Sequence, residues 1–180
     1  MNHTQIVLFL AFFGFGCLVQ PTFAHPVRSD SITVNTQGRR TGENAVPVDQ
    51  DVILAVLRGV EAAFSDTDLR GYLSFFHSSY LIMAPEGVIA PASENEALAL
   101  LRPQIENLQA RGYARSELNR VTVKLLSATT ALAAVEWIRR KANKEELERL
   151  GATYAFFKGE NGWKIVMVTV HSPATLLELK

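Results

Sequence analysis

The chain has 180 residues, 18 Lys and Arg against 18 Asp and Glu, and a formal net charge of +0 at pH 7. That balance argues against a general nucleic-acid binder, which needs a basic surface to displace counterions. A single cysteine, Cys17, rules out an intramolecular disulfide.

The chain opens MNHTQIVLFLAFFGFGCLVQPTFAHP. Ile6 to Val19 is an apolar run of fourteen residues, which suits a signal-peptide core of about 7–15 residues better than a membrane span of about 20. Thr22-Phe23-Ala24 places small residues at the −3 and −1 positions, so residues 1–24 read as a signal peptide cleaved after Ala24. No Lys or Arg precedes the run, and an uncleaved anchor is the alternative. Gly14 stands where a lipoprotein signal wants a Leu-like residue before Cys17, so lipidation is not expected. Cleavage predicts a periplasmic or secreted protein of 156 residues (25–180), about one domain in length. It has no thiol nucleophile and no thiolate metal site. Residues 25–46 are polar and aperiodic and read as a flexible lead-in. His25 would become the amino terminus, but it precedes Pro26, and a copper chelate there is not expected.

Residues 47–174 read as one domain, with 175–180 as a C-terminal tail. Asp49 is placed to cap a helix to about Phe64, with Ile53, Val56, Leu57, Val60 and Phe64 on one stripe. Asp66 is placed to cap a second helix, with Leu69, Tyr72, Leu73 and Phe76 inward and His77 at its C-terminal end. A short strand, 80–83, precedes the turn Ala84-Pro85-Glu86-Gly87. Ser93-Glu94-Asn95-Glu96 is a capping box that starts a third helix, expected to kink or restart at Pro103 and to finish near Gly112. Strands follow at 118–126, 131–141, 152–157 and 163–171. Arg139, Arg140, Lys141 and Lys144 are answered by Glu145, Glu146 and Glu148, which reads as a solvated loop. Helices first and antiparallel strands last predict an α+β fold, three N-terminal helices on one face of a curved, mostly antiparallel sheet.

Three stretches, FSDTDLRGYLSFF (64–76), SSYLIMAPEG (78–87) and ENGWKIVMVTVHSP (160–173), give this chain a family likeness. In this order and spacing the sequence resembles the nuclear transport factor 2-like superfamily, which includes the ketosteroid isomerases and the SnoaL-like cyclases. The likeness covers roughly 48–173. It implies a cone-shaped domain, a pocket between sheet and helices, and frequently a homodimer. It says little about activity, because the fold hosts enzymes, binders and assembly modules alike. The isomerases carry a catalytic Asp just before the Pro of the Pro-x-Gly turn, where this chain has Ala84. Their oxyanion Tyr aligns with Val60, and their second acid aligns near Thr153. General-base catalysis needs a titratable group in reach, so isomerase chemistry by that route is excluded.

Pairing the last two strands across Asn161-Gly162 puts Tyr154 and Phe156 on one face with Ile165, Met167, Thr169 and His171. That face mixes apolar and polar groups as ligand pockets do. With Tyr72 and Phe76 of the second helix and Met83 of the short strand, Tyr154, Met167, Thr169 and His171 are the expected lining. The other face, with Phe157, Val166, Val168 and Val170, suits packing against a sheet or a second subunit. Glu136 and His171 are the strand-borne acid–base candidates; Glu136 reads otherwise as an exposed-face residue paired with Arg120, Lys124 or Arg140. No metal-ligand spacing, phosphate loop, triad order or cofactor fingerprint is present. Three readings follow: a binding domain holding a small, mostly apolar molecule, a homodimeric assembly module with a filled core, and an enzyme using Glu136 and His171. Trp163 is expected to pack near Phe64 or the second helix and to tie the sheet to the helical layer.

Overall fold

The computed structural model describes residues 48–84 and 87–179. The expected signal peptide, lead-in and terminal His25, and Pro85 and Glu86 of the turn, lie outside the described residues. The elements run α1 (Asp49–Ser65), α2 (Leu69–Leu73), β1 (Phe76–Ala84), β2 (Gly87–Ile89), α3 (Glu94–Ala110), β3 (Tyr113–Leu125), β4 (Thr130–Lys141), β5 (Glu146–Gly159) and β6 (Gly162–His171), then a 3-10 turn, Pro173–Thr175. The fold is α+β. Six strands form one sheet in the order β2-β1-β6-β5-β4-β3, antiparallel except for the β1–β6 pair.

α1 forms because Ile53, Leu57, Val60 and Phe64 recur at helical spacing and bury one stripe. Its N-cap is Val48, and Asp49 is the first helical residue. The second helix is a single short turn capped by Asp68, which accepts from the Gly71 amide at 2.9 Å; Asp66 closes α1. Phe76 and His77 therefore belong to β1, not to the end of α2, which closes at Leu73. α3 starts where the capping box places it: Ser93 Oγ accepts from the Glu96 amide at 3.2 Å, and the Glu96 carboxylate accepts from the Ala92 amide at 2.8 Å. Pro103 lies inside α3 without interrupting it.

The helices cover one face of the sheet. Ile53 and Leu57 interlock with Ala133 and Val135 of β4, Ala152 of β5 and Ile165 of β6, all 0 % exposed. Gly59 lets the Phe75 ring lie directly on α1; a Cβ there would sit 2.3 Å from the ring. The predicted alternation of β3 holds, with Val121, Val123 and Leu125 inward and Arg120, Thr122 and Lys124 outward. Of the charged stretch 139–148 only 142–145, with Lys144 and Glu145, form an exposed turn; the rest lies in β4 and β5. Arg139 and Glu148 are paired residues of β4 and β5, joined by an ion pair, and Glu148 also binds Arg111. Trp163 is 3 % exposed and ties sheet to helix, but at the start of α1. Its indole N–H donates to Asp49 Oδ1 at 3.0 Å, far from Phe64.

Candidate functional site

The face of the last hairpin is set by one residue. Phe156 pairs with Ile165, but Ala155 pairs with Met167, so Val166 is a β-bulge. A bulge reverses the side-chain parity of everything beyond it. Tyr154 therefore lies beside Val168 and Ala152 beside Val170, while Met167, Thr169 and His171 lie beside Ala155, Thr153 and Gly151. The mixed face expected from the sequence does not exist as one surface. Tyr154 and Phe156 point to the helices; Met167, Thr169, His171 and Met83 belong to the outer face.

Inside, the rings of Phe64, Tyr72, Phe76 and Tyr80 follow one another at centroid spacings of 5.4, 5.1 and 4.8 Å. Tyr154 accepts the Trp137 indole N–H at 3.1 Å. Burial pushes the Tyr72 and Tyr80 phenols up, and that of Tyr154 up to about 12. The expected lining residues Tyr72, Phe76 and Tyr154 are thus brought together, and they pack on one another. The positions that would carry isomerase acids supply none. Val60 is buried core, and Thr153 faces outward between the inward Ala152 and Tyr154.

The outer face reads as rows across the strands. Val88, Met83, Thr169, Thr153, Ala134 and Thr122 form one row. Leu81, Met167, Ala155, Leu132 and Lys124 form the next. At the β2–β1 end this face is open and apolar: Val88 is 61 %, Leu81 42 % and Met83 40 % exposed.

At the other end of β4 and β5 lies a polar row, His171, Gly151, Glu136 and Arg120. Glu136 and His171 thus share a face, with Gly151 between them. Glu136 is 4 % exposed and takes hydrogen bonds from Asn119 at 2.6 Å, Arg149 at 3.3 Å and Arg120 at 3.4 Å. Burial pushes its carboxyl up, but the Asn119 and Arg149 hydrogen bonds and the Arg120 and Arg149 charges outweigh that and hold it below the usual range. It is a charged structural carboxylate, not the acid of raised pKa that burial alone would give. Arg140, a candidate partner, pairs with Glu117 instead. His171 lies across Gly151. Its Nδ1 is 2.9 Å from the Ser172 carbonyl, which only accepts, so Nδ1 donates there, and Nε2 shares a hydrogen bond with the Thr153 hydroxyl at 3.1 Å. Among the described residues no hydrogen bond joins Glu136 to His171, and both are occupied elsewhere. Asn119 and Arg149 were missed as partners because a two-strand register, not local sequence, brings them to Glu136.

The family model described as NTF2-like protein (DUF6841) matches residues 53–173. The chain belongs to the NTF2-like family. Its fold recurs in an NTF2-like protein from Shewanella oneidensis at 19 % identity and TM-score 0.57, covering 68 % of this chain and 98 % of that one. An NTF2-like protein with a cystatin-like fold from Novosphingobium aromaticivorans gives 14 % identity and TM-score 0.59 over 71 % and 83 % of the two chains. The association domain of C. elegans CaMKII gives 16 % and 0.52 over 68 % and 95 %. At these identities the likeness shows the fold alone. No curated protein matches the sequence. Among the described residues of this NTF2-like chain no cluster of His, Cys, Asp and Glu could hold a metal.

Proposed function

We propose that the chain is an exported, non-catalytic NTF2-like association module that pairs with a second copy of itself through the outer face of its sheet. The observation that carries this reading is the open patch made by Val88 and Met83 of one row and Leu81 and Met167 of the next. Large apolar side chains side by side on an exposed sheet face mark an interaction surface. Two further features support it. The space between helices and sheet holds one continuous cluster of buried side chains, and the fold is shared with a domain described as an association domain. Export rests on the apolar run and small-residue cleavage pattern of residues 1–24. Light scattering over a dilution series tests the pairing. The expected mass is that of two chains at high concentration, falling on dilution; a single-chain mass throughout overturns it.

One observation favours a second reading, a small apolar ligand. A groove of about 580 Å³ lies at the irregular part of β1, lined by Tyr80, Leu81, Pro91, Val166 and Met167 among others. Its size is within the range of ligand sites, about 300–1,000 Å³. A thermal shift with steroid-like or fatty ligands, lost in Met167→Glu, is the expected result; no shift with any of them rejects it.

A further inference from the structure

Among the described residues no α-helix covers the outer face, yet Ile138 there is 3 % exposed and, nearer to His171, Ala134 is 1 %, Glu136 4 % and Thr153 5 % exposed. The segment that crosses the latter three follows β6. From His171 it turns through Ser172 and Pro173–Thr175 beside Gly151 of β5 and reaches Arg120 and Thr122 of β3, so its path crosses β4. There Leu176, Leu177 and Leu179 flank a groove of about 340 Å³ against Arg120 and Thr122. Its hydrogen bonds are concentrated at the His171 end. Thr153 holds the ring, and Thr175 Oγ1 donates to the Ser172 carbonyl at 2.9 Å. Gly151 makes the seat: a Cβ there would lie 2.7 Å from His171 Cε1 and Nδ1 and 3.0 Å from the Ser172 oxygen.

The floor under this segment is a row of short side chains, Thr153, Ala134 and Thr122. Such a floor admits a second sheet at the spacing of about 10 Å that packed sheets keep. The part of the face that stays open lies mainly on β2, β1 and β6, with Phe157 of β5 also 41 % exposed. About 20 Å each of β1 and β6, about 4.8 Å apart, with the three residues of β2 beside them, present a flat footprint of roughly 240 Å², well under the accessible surface of about 800 Å² per partner in a standard interface. The open part alone is too small for a stable dimer.

We propose that residues 172–179 are a displaceable strap that occupies, on β3–β5, the place of a second copy of this chain, so that lifting it turns weak self-association into a stable dimer. This deepens the association reading and rests on it. Sedimentation equilibrium on the protein, on a variant ending at His171 and on full-length Gly151→Ala tests it. The glycine variant keeps the segment but fills its seat, and it decides the matter should the shortened chain not fold. The expected result is a dimer dissociation constant at least tenfold lower in both variants. A wild-type dimer whose constant is unchanged or raised in the variants overturns the strap and leaves the association reading standing. Monomers in all three samples at every concentration overturn both.

Discussion

Trp163 donates its indole N–H to Asp49 Oδ1 at 3.0 Å, joining the first residue of α1 to β6. Lys158 binds the same carboxylate oxygen at 2.6 Å, and its ammonium lies 5.7 Å from the centre of the Trp163 ring. One carboxylate thus gathers two strands and a helix start. The Lys158 and Trp163 hydrogen bonds hold the Asp49 carboxyl below its usual range. Trp163→Ala should cost about 3–5 kcal/mol, the usual cost of removing a buried aromatic side chain, out of roughly 5–15 kcal/mol for a domain. Asp49→Asn should cost less, and the two losses together should be less than additive. Denaturant unfolding checks this; a Trp163→Ala midpoint equal to wild type would show that the residue is not structural.

Glu136 contributes to the acid limb of stability and Tyr154 to the alkaline one. The Glu136 carboxyl is depressed when folded, so its contribution is present above the ordinary value of 4.5 and is lost as pH falls through the folded value. Glu136→Gln should lower stability at pH 7 by about 1–3 kcal/mol, the range for hydrogen bonds to a buried charge, and flatten the acid limb. An acid limb as steep in the variant as in wild type would contradict this.

The Tyr154 phenol is raised from 10.0 to about 12 when folded. The unfolded chain then releases its proton first, and stability falls as pH rises from 10 toward 12. Tyr154→Phe removes that limb but strands the buried Trp137 N–H, at about 1–3 kcal/mol. Alkaline unfolding curves of the two proteins should therefore converge at high pH. Curves that stay parallel would mean that the phenol does not titrate in this range.

Val166 decides which side chains of β6 face the helices. Deleting it joins Ile165 directly to Met167 and keeps every β5 partner, so Val168 should stay inward and Thr169 and His171 outward, at a smaller cost than Val168→Ala. Circular dichroism and chemical shifts of the deletion variant read this directly. A native-like spectrum is the expected result; a rearranged or unfolded one would contradict the pairing across the bulge.

The parts of the fold legible in the sequence are those set by near neighbours. The α1 stripe, the Ser93 capping box and the alternation of β3 each depend on residues a few positions apart. The bulge at Val166 depends on how β6 pairs with β5 and β1 together; β1 advances five residues from Phe76 to Leu81 while β6 advances two. Apolar residues at both parities, Ile165 then Val168, were the available trace of it. The site reading inherited that parity error: it placed Met167, Thr169 and His171 in the cone and overlooked Leu81 beside Met83. Trp163 was recognised as an anchor, but its partner lay 114 residues away.

The most direct measurement is sedimentation velocity of wild type against Leu81→Glu with Met83→Glu over one concentration series. Both residues are about two-fifths exposed, so the variant should keep the wild-type unfolding midpoint. Wild type is predicted to sediment faster as concentration rises, and the variant to remain a single chain throughout. Identical profiles at unchanged stability would contradict association through the outer face.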